Sequence, residues 1–157
     1  MKAVLMSIRP EHNKNIECGS KKSELRTLPP KLTPPFKVYT YESGILGRHK
    51  VVNEWVCRSM TEWLMYMGVP AHLQKTACLS LDEIKRYCNN GEKNITEMAI
   101  SDLVVYDTPK SLGEFCKPCD RDPQCDCQYC MAHGRSPSKQ IPRAPQNWCY
   151  VEELQER

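Results

Sequence analysis

The sequence predicts an α+β domain: a small mixed β-barrel with two or three short helices and a separate cysteine-rich loop. Three observations carry that expectation. About six short apolar or alternating runs follow one another with turn signals between them, without the regular strand–helix alternation of a parallel α/β fold. The helical signals are brief: a Pro10 start with a Gly19 stop, and a capping box at Ser80-Leu-Asp-Glu83. Five of the ten cysteines fall inside residues 116–130.

Taken in order, residues 3–8 (Ala-Val-Leu-Met-Ser-Ile) read as a buried strand bounded by Arg9-Pro10. A helix over about 10–18 follows, with Ile16 inward and Gly19 as a left-handed cap. Residues 22–28 return as a strand. Ser23, Leu25 and Thr27 face one way and Glu24 and Arg26 the other, toward solvent or a polar cavity. Four prolines in residues 28–35 make a stiff linker. Phe36 to Tyr41 alternates cleanly, Gly44 to Gly47 turns, and residues 49–57 come back as the second strand of a hairpin.

Thr61 to Met67 fits a helix or an irregular insert. The capping box then opens a helix from 81 to about 88, with Leu81, Ile84 and Cys88 facing in and Asn89-Asn90-Gly91 ending it. Residues 95–107 read as one bent strand or two in succession, closed by Asp107-Thr-Pro-Lys. Ser111 to Phe115 is a short turn or helix. Residues 134–145 form a basic, Pro-rich surface loop, and Trp148 to Glu152 is a final strand pairing back into the sheet.

A chain of 157 residues suits one domain with a real core. Its 40% hydrophobic and 26% charged residues are ordinary for a soluble globular protein. No apolar run approaches the length of a membrane span. The apolar stretch before Arg9 is too short for a signal-peptide core, so the expected location is the cytoplasm. The net charge of +3 is unevenly placed: residues 1–50 hold ten Lys or Arg against four Asp or Glu. A basic half points to an anionic partner such as nucleic acid or a nucleotide, against the plainer alternative of a solvated surface.

Two groups of residues carry candidate chemistry. The first is Ser7, Arg9, Lys21, Glu24 and Arg26. Arginine offers a fork of donors to phosphate or to a base edge, and glutamate accepts from an exocyclic amine. The plain alternative is a solvated strand face with a weak surface ion pair. The second is Cys116-Lys-Pro-Cys119 and Cys127-Gln-Tyr-Cys130, two Cys-x-x-Cys pairs at zinc-knuckle spacing. In a reducing compartment this density favours one structural Zn²⁺ on four thiolates, with Cys125 and His133 as alternates; a redox pair or unligated thiols are the plain readings. Trp55 and Trp148 fit core packing better than base stacking, and His12, His49 and His72 have no ligand spacing. Residues 139–143 fit a solvated loop better than a phosphate contact.

Ser7-Ile8-Arg9-Pro10, a short helix, and then Gly19-x-Lys21-x-x-Glu24-x-Arg26 resemble the opening of the ASCH domain family, a branch of the PUA-like fold. Val-Val-Asn-Glu-Trp-Val-Cys (51–57), Ile-Ser-Asp-Leu-Val-Val-Tyr-Asp (100–107) and Pro145 to Glu152 follow in the same order; the last two are similar to small ASCH proteins of Gram-positive bacteria and their phages. The resemblance covers most of the chain and implies one domain over 1–157, with insertions at about 59–79 and 116–140. It implies a cleft beside the first helix that binds RNA or a nucleoside, lined by Lys21, Glu24 and Arg26 with Arg9 nearby.

Some ASCH members are amidohydrolases that deacetylate N4-acetylcytidine with the motif lysine, a threonine three residues on, and a later glutamate. Lys21 matches the lysine and Glu54 the glutamate. Glu24 stands where those members have threonine, so the resemblance favours a binding module over an enzyme. A phage–host protein-interaction module is a further alternative.

Overall fold

The structure, a computed structural model, describes residues 1–118 and 140–155. Among these residues it holds six strands and three α-helices. The strands are β1 (Lys2–Ile8), β2 (Ser23–Arg26), β3 (Phe36–Glu42), β4 (Val51–Trp63), β5 (Ile95–Lys110) and β6 (Trp148–Glu152). The helices are α1 (Pro10–Glu17), α2 (His72–Ala77) and α3 (Leu81–Tyr87), with single 3-10 turns at Met65–Met67 and Leu112–Glu114.

The strands form one sheet in the order β2-β5-β4-β3-β1-β6. The expected barrel is corrected: among the described residues β2 and β6 are the two ends, and the sheet stays open. Both end strands are short, at four and five residues. The prolines following β2 lack the N–H groups that another ladder would need. β1 lies between β6, antiparallel, and β3, parallel. Residues 3–8 are buried on both alternating faces of β1, which accounts for the near-continuous apolar run, since a strand covered on both faces has no polar side. The parallel β1–β3 pair requires a long connection, which residues 9–35 supply.

The chain divides into two compact units of discontinuous segments. The first is Met1–Pro10, Lys37–Glu54 and Val104–Arg157; the second is Glu11–Phe36 and Trp55–Leu103. The first unit's core gathers Ala3, Leu5, Tyr39, Val51, Phe115 and Val151. Tyr39 and Phe115 meet edge to face at 5.0 Å, and the Tyr39 hydroxyl oxygen accepts from the Leu154 N–H at 2.8 Å. The second unit's core gathers Leu25, Met65, Leu73, Ala77, Ile84, Cys88 and Ile95.

Most local expectations hold. Pro10 opens α1, Ile16 is buried, and Gly19 at φ +77° follows the helix end, where its N–H donates to the Ile16 carbonyl at 3.0 Å. Ser80 Oγ accepts from the Glu83 N–H at 3.1 Å while Glu83 Oε2 accepts from the Ser80 N–H at 2.7 Å, completing the capping box of α3. Ile84 and Cys88 face in, but Leu81, in the first turn, sits at the rim and is 37% exposed.

Two stretches depart from expectation, and a third, expected as one bent strand or two, is the single bent strand. β4 does not stop at 57; it runs on to Trp63, so only a single turn at Met65–Met67 is helical in that stretch. α2 has no cap signal, because Ala71 precedes it and makes no side-chain bond. β5 is one strand bent at Asp102, whose φ is +49°. A short acid tolerates the left-handed region when its carboxylate is held locally. Here the Ser101 hydroxyl donates to it at 3.3 Å and Arg58 pairs with it.

Candidate ligand site

Three of the five expected ligand residues come together in the second unit. Residues 20–22 follow the Gly19 turn, where the Lys21 N–H donates back to the Asn15 carbonyl at 2.8 Å. That bond and the adjacent Lys22 N–H to Thr76 carbonyl bond, at 2.7 Å, fix the backbone from which Lys21 projects. β2 then pairs antiparallel with β5, Glu24 opposite Met98 and Arg26 opposite Thr96. Strand alternation puts Glu24 and Arg26 on one face and Ser23 and Leu25 on the other, as the sequence predicts.

The face is not solvated. Lys21 is 3% exposed, Glu24 7% and Arg26 9%. Lys21 Nζ donates to the Ala77 carbonyl at 2.8 Å and lies 3.3 Å from Glu24 Oε2. Arg26 Nη2 lies 2.9 Å from Glu24 Oε1. One carboxylate therefore sits between two cations, and the group carries a net positive charge. Burial alone would raise the Glu24 carboxyl, but Arg26, Lys21 and, more weakly, His12 outweigh it and hold it below the usual carboxylate range.

Ser7 and Arg9 belong to the first unit. The Ser7 hydroxyl donates to the Pro145 carbonyl at 2.6 Å, and its N–H donates to the Asn147 carbonyl at 3.0 Å. This serine fastens the segment entering β6. Arg9 is exposed.

Glu54 is also in the first unit. Its carboxylate lies 2.9 Å from Lys37 Nζ and accepts from the Tyr106 hydroxyl. Lys37 Nζ also reaches Glu153 at 3.6 Å. Burial pulls the Lys37 ammonium down, but Glu54 and Glu153 outweigh it and hold it above its usual value. Burial, followed by the bond to Glu54, pushes the Tyr106 hydroxyl upward.

Sequence reasoning missed a second polar hub in the second unit, built on Glu97. Its Oε2 accepts from Trp63 Nε1 at 2.9 Å and lies 2.9 Å from His72 Nε2, while Oε1 accepts from the Thr76 hydroxyl at 3.2 Å. Trp63 and His72 also meet edge to face at 5.2 Å. Burial raises the Glu97 carboxyl, but the bonds with His72 and Trp63 lead the effects that bring it below the usual range. His72 and Thr76 are four residues apart on one face of α2, and that spacing was the available signal.

Of the expected metal ligands, Cys116 is buried and bridges Gln140 in a short antiparallel contact. Cys119, Cys125, Cys127, Cys130 and His133 lie outside the described residues. Among the described residues no three His, Cys, Asp or Glu side chains gather in a metal-binding arrangement, and no helix is long and apolar enough to cross a membrane.

Solved structures share this architecture. An ASCH protein from Zymomonas mobilis, in a serine-to-alanine mutant, matches with a TM-score of 0.65 at 15% identity, over 96% of this chain and 89% of the other. A tyrosine-to-phenylalanine mutant of the Zymomonas protein matches at TM-score 0.63 and 16% identity, covering 98% and 92%. The ASCH structure carrying neither mutation gives 0.63 and 16%, covering 96% and 88%. No protein-family model and no curated protein matches the sequence. The chain has the fold of ASCH proteins.

Proposed function

We propose that the chain is a binding module for RNA or a nucleotide, with Lys21, Glu24 and Arg26 as its recognition group. The carrying observation is the buried, net-cationic arrangement of these three side chains at β2. Burying charges is expensive, and apolar residues of similar volume often replace such groups without loss of stability. A ligand that uses the charges offsets that expense. The planar fork of guanidinium donors matches the geometry of phosphate or a base edge. The ASCH likeness supports the same reading.

Deacetylation of an acylated nucleoside is the less favoured chemistry. Lys21 Nζ is engaged by a carbonyl and by Glu24, and Glu54 by Lys37 and Tyr106. A titration of RNA and mononucleotides at several salt concentrations tests the binding reading. Affinity falls linearly with salt on logarithmic axes as phosphate contacts release counterions. Absence of binding to both ligand types overturns the reading, and acetate release from N4-acetylcytidine replaces it with the hydrolase.

We further infer that the cysteine segment holds a structural zinc, separate from this recognition group. Cys116, Cys119, Cys127 and Cys130 have the donor chemistry of a closed tetrahedral zinc site, with Cys125 and His133 as alternates. The contact between Cys116 and Gln140, with the Ile141 N–H donating to the Phe115 carbonyl at 3.0 Å, brings the two ends of the segment together. Purified protein is expected to carry one equivalent of zinc, lost in Cys119→Ser/Cys130→Ser. Elemental analysis checks this, and metal-free wild type contradicts it.

A further inference from the structure

The turn between β3 and β4 presents two aliphatic side chains to solvent in a fixed frame. Ile45 is 98% exposed and Leu46 89%, more than any other large apolar side chain among the described residues. The turn is tied down on several sides. The Glu42 N–H donates to the Lys50 carbonyl and the His49 N–H to the Glu42 carbonyl, both at 3.0 Å. The Ser43 N–H donates to the Ile8 carbonyl at 2.9 Å. Arg48 grips the Glu42 carboxylate, with its backbone N–H and Nε each 3.1 Å from Oε1 and Nη2 2.7 Å from Oε2. Gly44 sits at φ +90°, and a Cβ at Gly47 would lie 2.5 Å from the Ser43 carbonyl oxygen. Such bracing holds Ile45 and Leu46 outward with little left to order on binding.

The surroundings of the turn are cationic. Lys50 is exposed beside it, and exposed Arg9 directly follows Ile8, whose carbonyl the turn engages. The Tyr41 ring lies against His49 at 6.4 Å. The Glu42 carboxylate is held by Arg48.

We infer that this turn is a wedge for RNA, placing Ile45 and Leu46 between bases of a loop or bulge while Arg9 and Lys50 meet the flanking phosphates. Apolar wedges of one or two side chains suffice to part stacked bases, and unpaired RNA bases are already partly unstacked. An anionic bilayer fits less well, because stable anchoring needs two strong signals and this turn offers two aliphatic side chains and few cations. The inference rests on the nucleic-acid reading above and adds a second, apolar contact to it.

The test is a hairpin RNA carrying 2-aminopurine in its loop, titrated with wild type, Ile45→Ser/Leu46→Ser and Lys50→Ala. Both altered sites are exposed, and matching melting temperatures confirm intact folding. Wild type is expected to raise the probe's fluorescence as the base unstacks. The double variant is expected to bind about tenfold or more weakly, without that rise and with the same salt slope. Lys50→Ala is expected to lower the slope by about one. A double variant equal to wild type in affinity and fluorescence overturns the wedge and leaves the proposed function standing, as does a wild type that binds mononucleotides but not RNA. Wild type that binds neither overturns the proposed function itself. Binding to phosphatidylserine vesicles that is lost in the double variant, with RNA affinity unchanged, reassigns the turn and overturns the wedge.

Discussion

Glu24→Ala is expected to destabilise the protein by about 3–5 kcal/mol, because it leaves two cations buried without their shared carboxylate. Lys21 retains the Ala77 carbonyl, but Arg26 loses the oxygen 2.9 Å from its Nη2. Urea unfolding measures the loss, and an effect below about 1 kcal/mol would place this group in the class of weak surface pairs.

The same carboxylate governs behaviour in acid. Its folded pKa lies below the ordinary value of 4.5, so its stabilisation is complete above that value and is lost as pH falls through the folded value. The melting temperature of wild type is therefore expected to fall more steeply below about pH 4.5 than that of Glu24→Gln.

Glu97→Ala is expected to cost about 2–3 kcal/mol and to loosen α2. The substitution removes the acceptor for Trp63, Thr76 and His72 together. His72 is 45% exposed at its side chain and can turn to water, whereas Trp63 is partly buried and its indole N–H has less recourse. Hydrogen exchange in residues 72–77 is expected to quicken more than in α3, whose capping box is untouched. Glu97→Gln, which keeps one acceptor, is expected to be milder. Equal exchange in both helices would show that Glu97 does not anchor α2.

Much of this architecture was legible because its signals are local. Pro10 and Gly19 bracket α1, Ser80 and Glu83 open α3, and the alternation of Phe36 to Tyr41 announces β3. The closed barrel was not borne out, because closure depends on which strands pair across the sheet, and neither the four residues of β2 nor the five of β6 encode that. α2 was missed because Ala71 gives no cap and six residues are too few for a periodic pattern.

Spacing placed Glu24 and Arg26 on one face but could not say whether that face was wet. Its burial depends on contacts such as Lys21 with the carbonyl of Ala77, 56 positions along the chain. The Glu97 hub joins β4, α2 and β5, so its members are close only after folding.

Arg26 is the side chain on which the proposed recognition most depends. Lysine at that position keeps the positive charge beside Glu24 but lacks the planar fork. The decisive measurement is the RNA affinity of Arg26→Lys against wild type at one fixed salt concentration, with melting temperatures compared. The account predicts binding weakened by at least about fivefold in a protein that still folds. Equal affinity in the two proteins would contradict it and return Lys21, Glu24 and Arg26 to a purely structural role.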